Sequence, residues 1–138
     1  YVGSSWVLNS TLVNQDTDAG DDFGNMVQLS GDGKRMIVSA GRDNLERGKL
    51  YTFEYTGTSW RRKQPSASFG ATGVNQDDHL GYWATTFDQG VTLSRDGSVI
   101  VGGELGYDTE TLSNVGRVRV FSMPSNIKSI WGSNDDVN

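Results

Sequence analysis

Four aspartates lie close together near the start of the chain, and their type and spacing suit metal binding. Asp16, Asp18, Asp21 and Asp22 share a short stretch with Gly20. Hard cations such as Ca²⁺ bind about six to eight oxygen atoms, and closely spaced carboxylates on a glycine-containing loop can supply them. Aspartate side chains can instead shape a turn by accepting bonds from nearby backbone N–H groups. The spacing therefore predicts either a calcium site or a local turn.

Residues suited to catalysis are scarce in this sequence. His79 is the single histidine and there is no cysteine. A two-histidine zinc site, a thiolate metal site and a disulfide framework are thereby excluded. The chain also has no Gly-x-Ser-x-Gly elbow and no glycine-rich phosphate loop with its lysine. We therefore expect His79 in a turn, and we expect that the protein is not an enzyme.

An aromatic segment from Tyr82 to Gln89 is the second candidate for a binding site. Tyr82, Trp83 and Phe87 are candidate contacts for a ligand or a partner, because binding residues concentrate on loops that a rigid scaffold holds in place. A tolerated surface insertion is the alternative interpretation.

The elements that must position these residues come from an internal repeat. Three short motifs occur twice. The two copies end at Trp6 and Trp60, at Gly33 and Gly97, and at Phe53 and Phe121. The separations are 54, 64 and 68 residues, so one unit recurs with insertions and deletions in its loops. Repeats of roughly this size are typical of propellers and other repeat arrays. A recurring tryptophan is expected to pack between strands.

Each repeat has the pattern of four short antiparallel strands. Apolar and polar residues alternate, as in half-buried strands, and the pairs Asp32-Gly33 and Asp96-Gly97 mark hairpins that need positive φ. Four strands in a meander form a propeller blade. We predict an all-β segment of about two four-stranded antiparallel blades. The residues predicted to be buried are Val27, Leu29, Met36 and Val38 in the first blade, and Val91, Leu93, Val99 and Val101 in the second.

Boundaries follow from the same repeat. Residues 1–55 would form the first blade, with an outer strand at Trp6, and residues 56–123 the second, with longer loops. Residues 124–138 would form a terminal strand or the start of a third repeat, followed by an acidic tail. Two blades cannot close a ring, since propellers have about four to eight. We therefore expect both outer faces to contact other protein: further blades, copies of this chain or subunits of a larger complex.

Charge and hydropathy indicate which kinds of partner the protein binds and where in the cell it lies. A net charge of −5 over 138 residues argues against a nucleic-acid partner, and the basic run 61–63 is interpreted as a solvated strand end. No apolar run approaches the ~20 residues that span a bilayer, so we expect no membrane insertion. The sequon at Asn9 points to a secreted protein or an organelle lumen.

The first repeat resembles a known family. The stretch from Asp16 to Gly24, followed by Leu29-Ser30, Asp32-Gly33 and residues 48–53, is similar to an FG-GAP-type repeat, the blade unit of integrin-α-like β-propellers. Some of those propellers bind calcium on an Asp-x-Asp-x-Asp-Gly loop. The resemblance therefore implies calcium as the cofactor of the four aspartates, although the order here is Asp-x-Asp-x-Gly-Asp-Asp. The second repeat departs from the pattern, because Leu80-Gly81 replaces Phe-Gly and the acidic stretch is missing.

These features predict a non-catalytic recognition or scaffolding module. The chain would be a two-blade piece of a larger β-propeller or of a multi-subunit assembly, stabilised by calcium if the acidic loop binds it. A carbohydrate-binding lectin that forms its propeller by oligomerisation is the alternative.

Overall fold

The structure is a computed structural model that describes residues 5–63, 79–82 and 90–122. The elements in these ranges are β1 (Phe23–Leu29), β2 (Arg35–Ala40), α1 (Asp43–Glu46), β3 (Lys49–Tyr55), β4 (Trp60–Arg62), β5 (Val91–Leu93), β6 (Val99–Glu104) and β7 (Arg117–Ser122). Within the described ranges, no helix is long and apolar enough to cross a membrane.

The strands form two antiparallel sheets. The first sheet has the order β1-β2-β3-β4 and the second has the order β5-β6-β7. This arrangement confirms the all-β, blade-like prediction, while the strand expected after residue 123 lies outside the described residues. β4 follows the boundary proposed after residue 55 and yet pairs with β3, through Tyr55 and Trp60. The division into repeats at that point stays a prediction.

The two Asp-Gly hairpins are built alike. Gly33 and Gly97 have φ values of 70° and 71°, which confirms the predicted turn geometry. Asp32 and Asp96 each accept, through Oδ1, a bond from the serine hydroxyl two residues earlier, at 2.6 Å in both hairpins. Each Oδ1 also accepts the backbone N–H two residues later, at 2.9 and 3.0 Å. These bonds lower the pKa of both carboxyls, that of Asp96 to about 2.

The strand register divides the first sheet into two apolar faces. Cross-strand partners share a face, so the pairs Leu29–Met36 and Met36–Phe53 define one side and the neighbours Ile37 and Leu50 belong to the other. We call the side with Ile37 and Leu50 the inner face, because the second sheet packs on it. The opposite side is the outer face of the first sheet, and its residues are Val27, Leu29, Met36, Val38, Tyr51 and Phe53.

The inner face packs against the second sheet through β5, which lies against β1 and β2. One buried cluster spans the junction and contains Ile37, Leu50, Leu80, Val91, Leu93 and Ile100. The hairpins meet as well, since the Gly31 backbone N–H donates to the Arg95 carbonyl oxygen at 2.7 Å. The two sheets therefore share a continuous apolar core.

Burial in β1 differs from the prediction. Val27 and Leu29 are 51% and 48% exposed, whereas Met36 and Val38 on the same outer face are buried. Leu12, Phe23 and Trp60 pack against the buried part of this face and leave the second half of the edge strand β1 open. The predicted burial of Val27 and Leu29 is therefore wrong, since neither described sheet covers them.

Burial in β6 also differs from the prediction. Leu93 pairs with Ile100, so Ile100 shares its inward face and is 2% exposed. Val99 and Val101 lie on the opposite face and are half-buried. The strand is shifted by one residue from the predicted register, and such a shift exchanges the two faces. The predicted burial of Val99 and Val101 is therefore wrong, and Ile100 is the counterpart of Met36.

The recurring tryptophans do not share one environment. Trp60 is half-buried, with its ring centroid 5.3 Å from that of Tyr55. Trp6 is 89% exposed, and residues 6–14 form no strand. The predicted packing between strands holds for Trp60, whereas the 89% exposure of Trp6 contradicts it.

Candidate functional site

The centre of the acidic stretch forms a tight turn. The Asp18 backbone N–H donates to Asp21 Oδ2 at 2.6 Å, and the Asp21 backbone N–H donates back to the Asp18 carbonyl oxygen at 3.3 Å. Gly20 and Asp22 adopt positive φ values of 96° and 58°. Left-handed conformations are readily accessible to glycine and tolerated by aspartate. The sequence thus makes a self-bonded turn at this position.

The two flanking aspartates of the stretch are paired with arginines. Asp16 forms an ion pair with Arg62, whose hydrogen bond and charge lower the pKa of the Asp16 carboxyl. Asp22 Oδ2 lies 3.3 Å from Arg42 Nε. Arg62 belongs to the basic run that was expected to be merely solvated. Both ion pairs attach the acidic loop to the first sheet and to the loop after β2.

Three of the four predicted ligands line one cleft of about 820 Å³. Its walls are formed by Asp16, Asp18, Ala19, Gly20, Asp21, Arg42, Asp43, Leu45, Glu46 and Lys49. In the described residues, no group of three or more acidic or histidine side chains is arranged to hold a metal ion. A cation at this position would have to compete with Arg62 for Asp16 and with the turn for Asp21. Calcium binding here stays a prediction.

Asp43, in the wall of the cleft, belongs to a buried polar pair that the sequence did not predict. Asp43, 5% exposed, accepts a hydrogen bond from the hydroxyl of Tyr51, which is fully buried. Burial, and then this bond, raise the pKa of the Tyr51 hydroxyl. Lys49 Nζ lies 3.7 Å from Asp43 Oδ2, so the carboxylate has a cationic partner. Strand alternation places Tyr51 on an apolar face, but it cannot show that Asp43, the first residue of α1, reaches its hydroxyl from eight positions earlier.

Tyr82 is the candidate aromatic contact that lies in the described residues; Trp83 and Phe87 lie outside them. Its hydroxyl is 3.2 Å from Arg42 Nη2, and its ring centroid is 5.1 Å from that of His79. Arg42 is the same residue that pairs with Asp22. The structure therefore connects two sites that the sequence predicted separately, with Arg42 as the link. His79, with φ 54°, lies in a turn as predicted.

A second buried carboxylate lies in the second sheet. The Glu104 side chain is fully buried, with Oε2 2.6 Å from Arg117 Nε and Oε1 2.7 Å from Arg119 Nε. The Arg117 guanidinium also lies 3.7 Å from the centroid of the Tyr107 ring. A buried carboxylate needs such partners because its desolvation is costly. This cluster ties β6 to β7.

Comparisons with known proteins agree with the repeat. The family model of the FG-GAP repeat matches residues 6–53, the range that contains the acidic loop, β1, β2 and most of β3. Neither curated proteins nor solved structures give a match to the chain. The matched range covers the acidic turn, the first Asp-Gly hairpin and the buried Asp43–Tyr51 pair. Residues 6–53 are therefore an FG-GAP-type repeat, in a chain whose two antiparallel sheets stack like propeller blades.

Proposed function

We propose that this chain is a non-catalytic recognition or scaffolding module, a two-blade piece of a larger β-propeller or of a multi-subunit assembly. The observation that carries the proposal is the apolar surface left open on both sides of the stacked sheets. Soluble monomers seldom expose contiguous apolar patches without a function for them. The module would bind other protein through these two faces.

Both sides of the stacked sheets expose apolar side chains. On the first sheet, Val27 and Leu29 are 51% and 48% exposed. On the far side of the second sheet, Val118 and Val120 are 66% and 63% exposed. Val101 pairs with Val120 across the strands and shares that face. We call this side the outer face of the second sheet, and we define it by Val99, Val101, Val118 and Val120.

The family supports a module that contacts protein. FG-GAP repeats are typical of propeller-type interaction modules and of extracellular proteins, which favours a secreted or lumenal location for this chain. Calcium on the acidic loop belongs to the same proposal, as a stabilising ligand and not as a catalytic one. The lectin alternative has less support, since the Tyr82 ring is already engaged by His79 and Arg42.

Carbene footprinting of the protein in its native assembly, against the isolated 138-residue chain, tests the proposal. We expect labelling of Leu29 and Val118 to fall several-fold in the assembly. Leu112, 62% exposed on the loop between β6 and β7, is the matched control and should label equally in both samples. Equal labelling of all three residues in the two samples would show that these faces are not contact surfaces.

A further inference from the structure

We infer that Asn9 is a site of N-linked glycosylation. The group attached is an oligosaccharide whose first sugar is bonded to the side-chain amide nitrogen of this asparagine. The inference rests on the proposed function in one respect, because the modification requires the secreted or lumenal location proposed above. A glycan at Asn9 would also fix which part of the first sheet stays in solvent.

The acceptor sequence occurs once in the chain. Asn9-Ser10-Thr11 is the single Asn-x-Ser/Thr triplet among the 138 residues, and its middle residue is not proline. In the transfer, Asn9 Nδ2 attacks C1 of the first sugar of a lipid-diphosphate-linked oligosaccharide. The N–C1 bond forms, and the bond from C1 to the diphosphate oxygen breaks, with its electron pair leaving on the lipid diphosphate. Nδ2 loses one proton to a base of the transferase.

The structure leaves this triplet accessible. Asn9, Ser10 and Thr11 are all exposed, and residues 6–14 contain no strand or helix. Within the described part of the chain, neither the Asn9 side chain nor the Thr11 side chain makes a hydrogen bond, and residues 8–13 make no backbone hydrogen bond. The two side chains that define the sequon therefore have no competing partners, and the folded chain has room for a sugar on Nδ2.

The equivalent position of the second repeat has the opposite environment. Lys63 lies 54 residues after Asn9, the same separation as between the two recurring tryptophans. Its side chain is 19% exposed, with Nζ 2.7 Å from Glu54 Oε2, and its backbone N–H donates to the Thr52 carbonyl oxygen at 3.1 Å. Position 63 is thus held against the first sheet and leaves little room for a sugar. The exposed, unbonded acceptor is specific to the first repeat.

A glycan at Asn9 would project beside the covered half of the outer face of the first sheet. Leu12, three residues later in the chain, packs against the buried cluster of that face. Three residues span at most about 11 Å, so the first sugar lies near this half. The hydroxyl groups of a glycan are costly to bury without hydrogen-bond partners. A protein that contacts the first sheet must therefore leave the side with Asn9 in solvent and bind the exposed half around Val27 and Leu29.

Mass spectrometry of the protein from its native assembly tests the site directly. Digestion with peptide N-glycosidase in water labelled with heavy oxygen converts a glycosylated asparagine to an aspartate that contains the label. We expect the label at Asn9 in most molecules, in the tryptic peptide that ends at Lys34. Asn14 and Asn25 lie in the same peptide outside any sequon, so they are internal controls that should stay unlabelled. An Asn9 that is recovered unmodified overturns the inference.

Matched variants test the acceptor in a chain exported through a eukaryotic secretory pathway behind a cleavable leader. The wild-type chain and Ser10→Ala should both carry a glycan that peptide N-glycosidase removes. Thr11→Val keeps the shape of the side chain without its hydroxyl, so it should lose the glycan, as should Asn9→Gln. The three positions are exposed, so the variants should fold like the wild type. A wild-type chain exported without a glycan, or a glycan that persists in Asn9→Gln, would contradict the assignment.

Failure of the inference can be told apart from failure of the proposed function. If Asn9 is unmodified while the native assembly still protects Leu29 and Val118 from carbene labelling, the glycan is excluded and the proposed function stands. If Asn9 is glycosylated and those two residues label equally in the assembly and in the isolated chain, the recognition function fails and the glycan site stands. The folded assembly should also release its glycan to the enzyme without denaturation. Release only after unfolding would contradict the placement of the glycan in solvent.

Discussion

The hairpin β1–β2 and the hairpin β5–β6 share their turn and differ in their surroundings. Both turns have the same serine and backbone bonds to aspartate and the same positive φ at glycine. Leu29 is 48% exposed, whereas its counterpart Leu93 is 8% exposed. Local sequence therefore reproduces the turn, while burial depends on whether another sheet lies against the strand. Changing matched residues in the two repeats measures how far they are equivalent.

The largest expected effect is at the buried carboxylate that the first repeat lacks. Glu104 lies where the first repeat has Ala40, and it holds Arg117 and Arg119. Glu104→Gln should lower the free energy of unfolding by about 3–5 kcal/mol, because it leaves two arginines without their counter-charge. Urea denaturation measures this loss. Glu110→Gln, at an exposed position, is the control and should change stability by less than about 0.5 kcal/mol.

Truncating the equivalent residues Leu93 and Leu29 to alanine should lower the free energy of unfolding by different amounts. Leu93→Ala removes a side chain from the core between the sheets and should cost about 2–5 kcal/mol. Leu29→Ala, in the monomeric chain, should cost less than about 1 kcal/mol, because about half of that side chain is already in water. Denaturation at low protein concentration compares the two. Equal losses would mean that β1 is covered as fully as β5.

Replacing the hairpin glycines introduces the same backbone strain at two positions, one beside open space and one packed against Arg35. Gly33→Val and Gly97→Val each place a β-branched residue at positive φ, which costs about 1–3 kcal/mol. Gly97→Val should be the more damaging, because Arg35 occupies the space beside it and Gly33 has open space. Thermal and urea denaturation of both variants provide the measurement. A larger loss at Gly33 would contradict the packing of the first sheet against the second hairpin.

Acid titration should show that the two hairpin aspartates have lower pKa values than ordinary aspartates. The pKa of Asp96 is lowered in the folded state to about 2, chiefly by the Ser94 hydroxyl and then by Ser98. An unfolded aspartate has a pKa of about 3.9. The stabilisation by Asp96 is therefore complete above about pH 4 and is lost as the pH falls towards 2. The stability difference between the unmodified chain and Asp96→Asn should shrink over that window. A constant difference would show that the charge of Asp96 plays no part.

The smallest expected effect is calcium on the acidic loop, which only the first repeat contains. With a dissociation constant on the order of 10⁻⁴–10⁻³ M, 1 mM calcium would stabilise the fold by about 0.4–1.4 kcal/mol. Calorimetric titration should give heat for the unmodified chain and for Glu110→Gln, and less for Asp18→Ala. Heat that is absent, or equal in all three, would mean that the aspartates serve only the turn and the ion pairs.

The sequence predicted which aspartates form the candidate site, but not which residues pair with them. The clustering of Asp16, Asp18 and Asp21 is visible in the sequence, and the structure places all three along one cleft. The pairing of Asp16 with Arg62 spans 46 residues, and no local pattern specifies it. The same holds for Arg42, which connects Asp22 to Tyr82. Contacts between distant segments depend on how the sheets and loops pack.

The sequence by itself determined the turns, the strands and the repeat. Residues of the Ser-x-Asp-Gly turn act on one another within a few positions, and alternation gives each strand two distinct faces. Only the tertiary structure decided which face each strand buries. Ile100 rather than Val99 or Val101 points into the core because the strand register differs by one residue. Val27 and Leu29 stay open because neither sheet in the described part of the chain covers them. Burial is a property of the pair of surfaces in contact, so a strand cannot specify it without its neighbour.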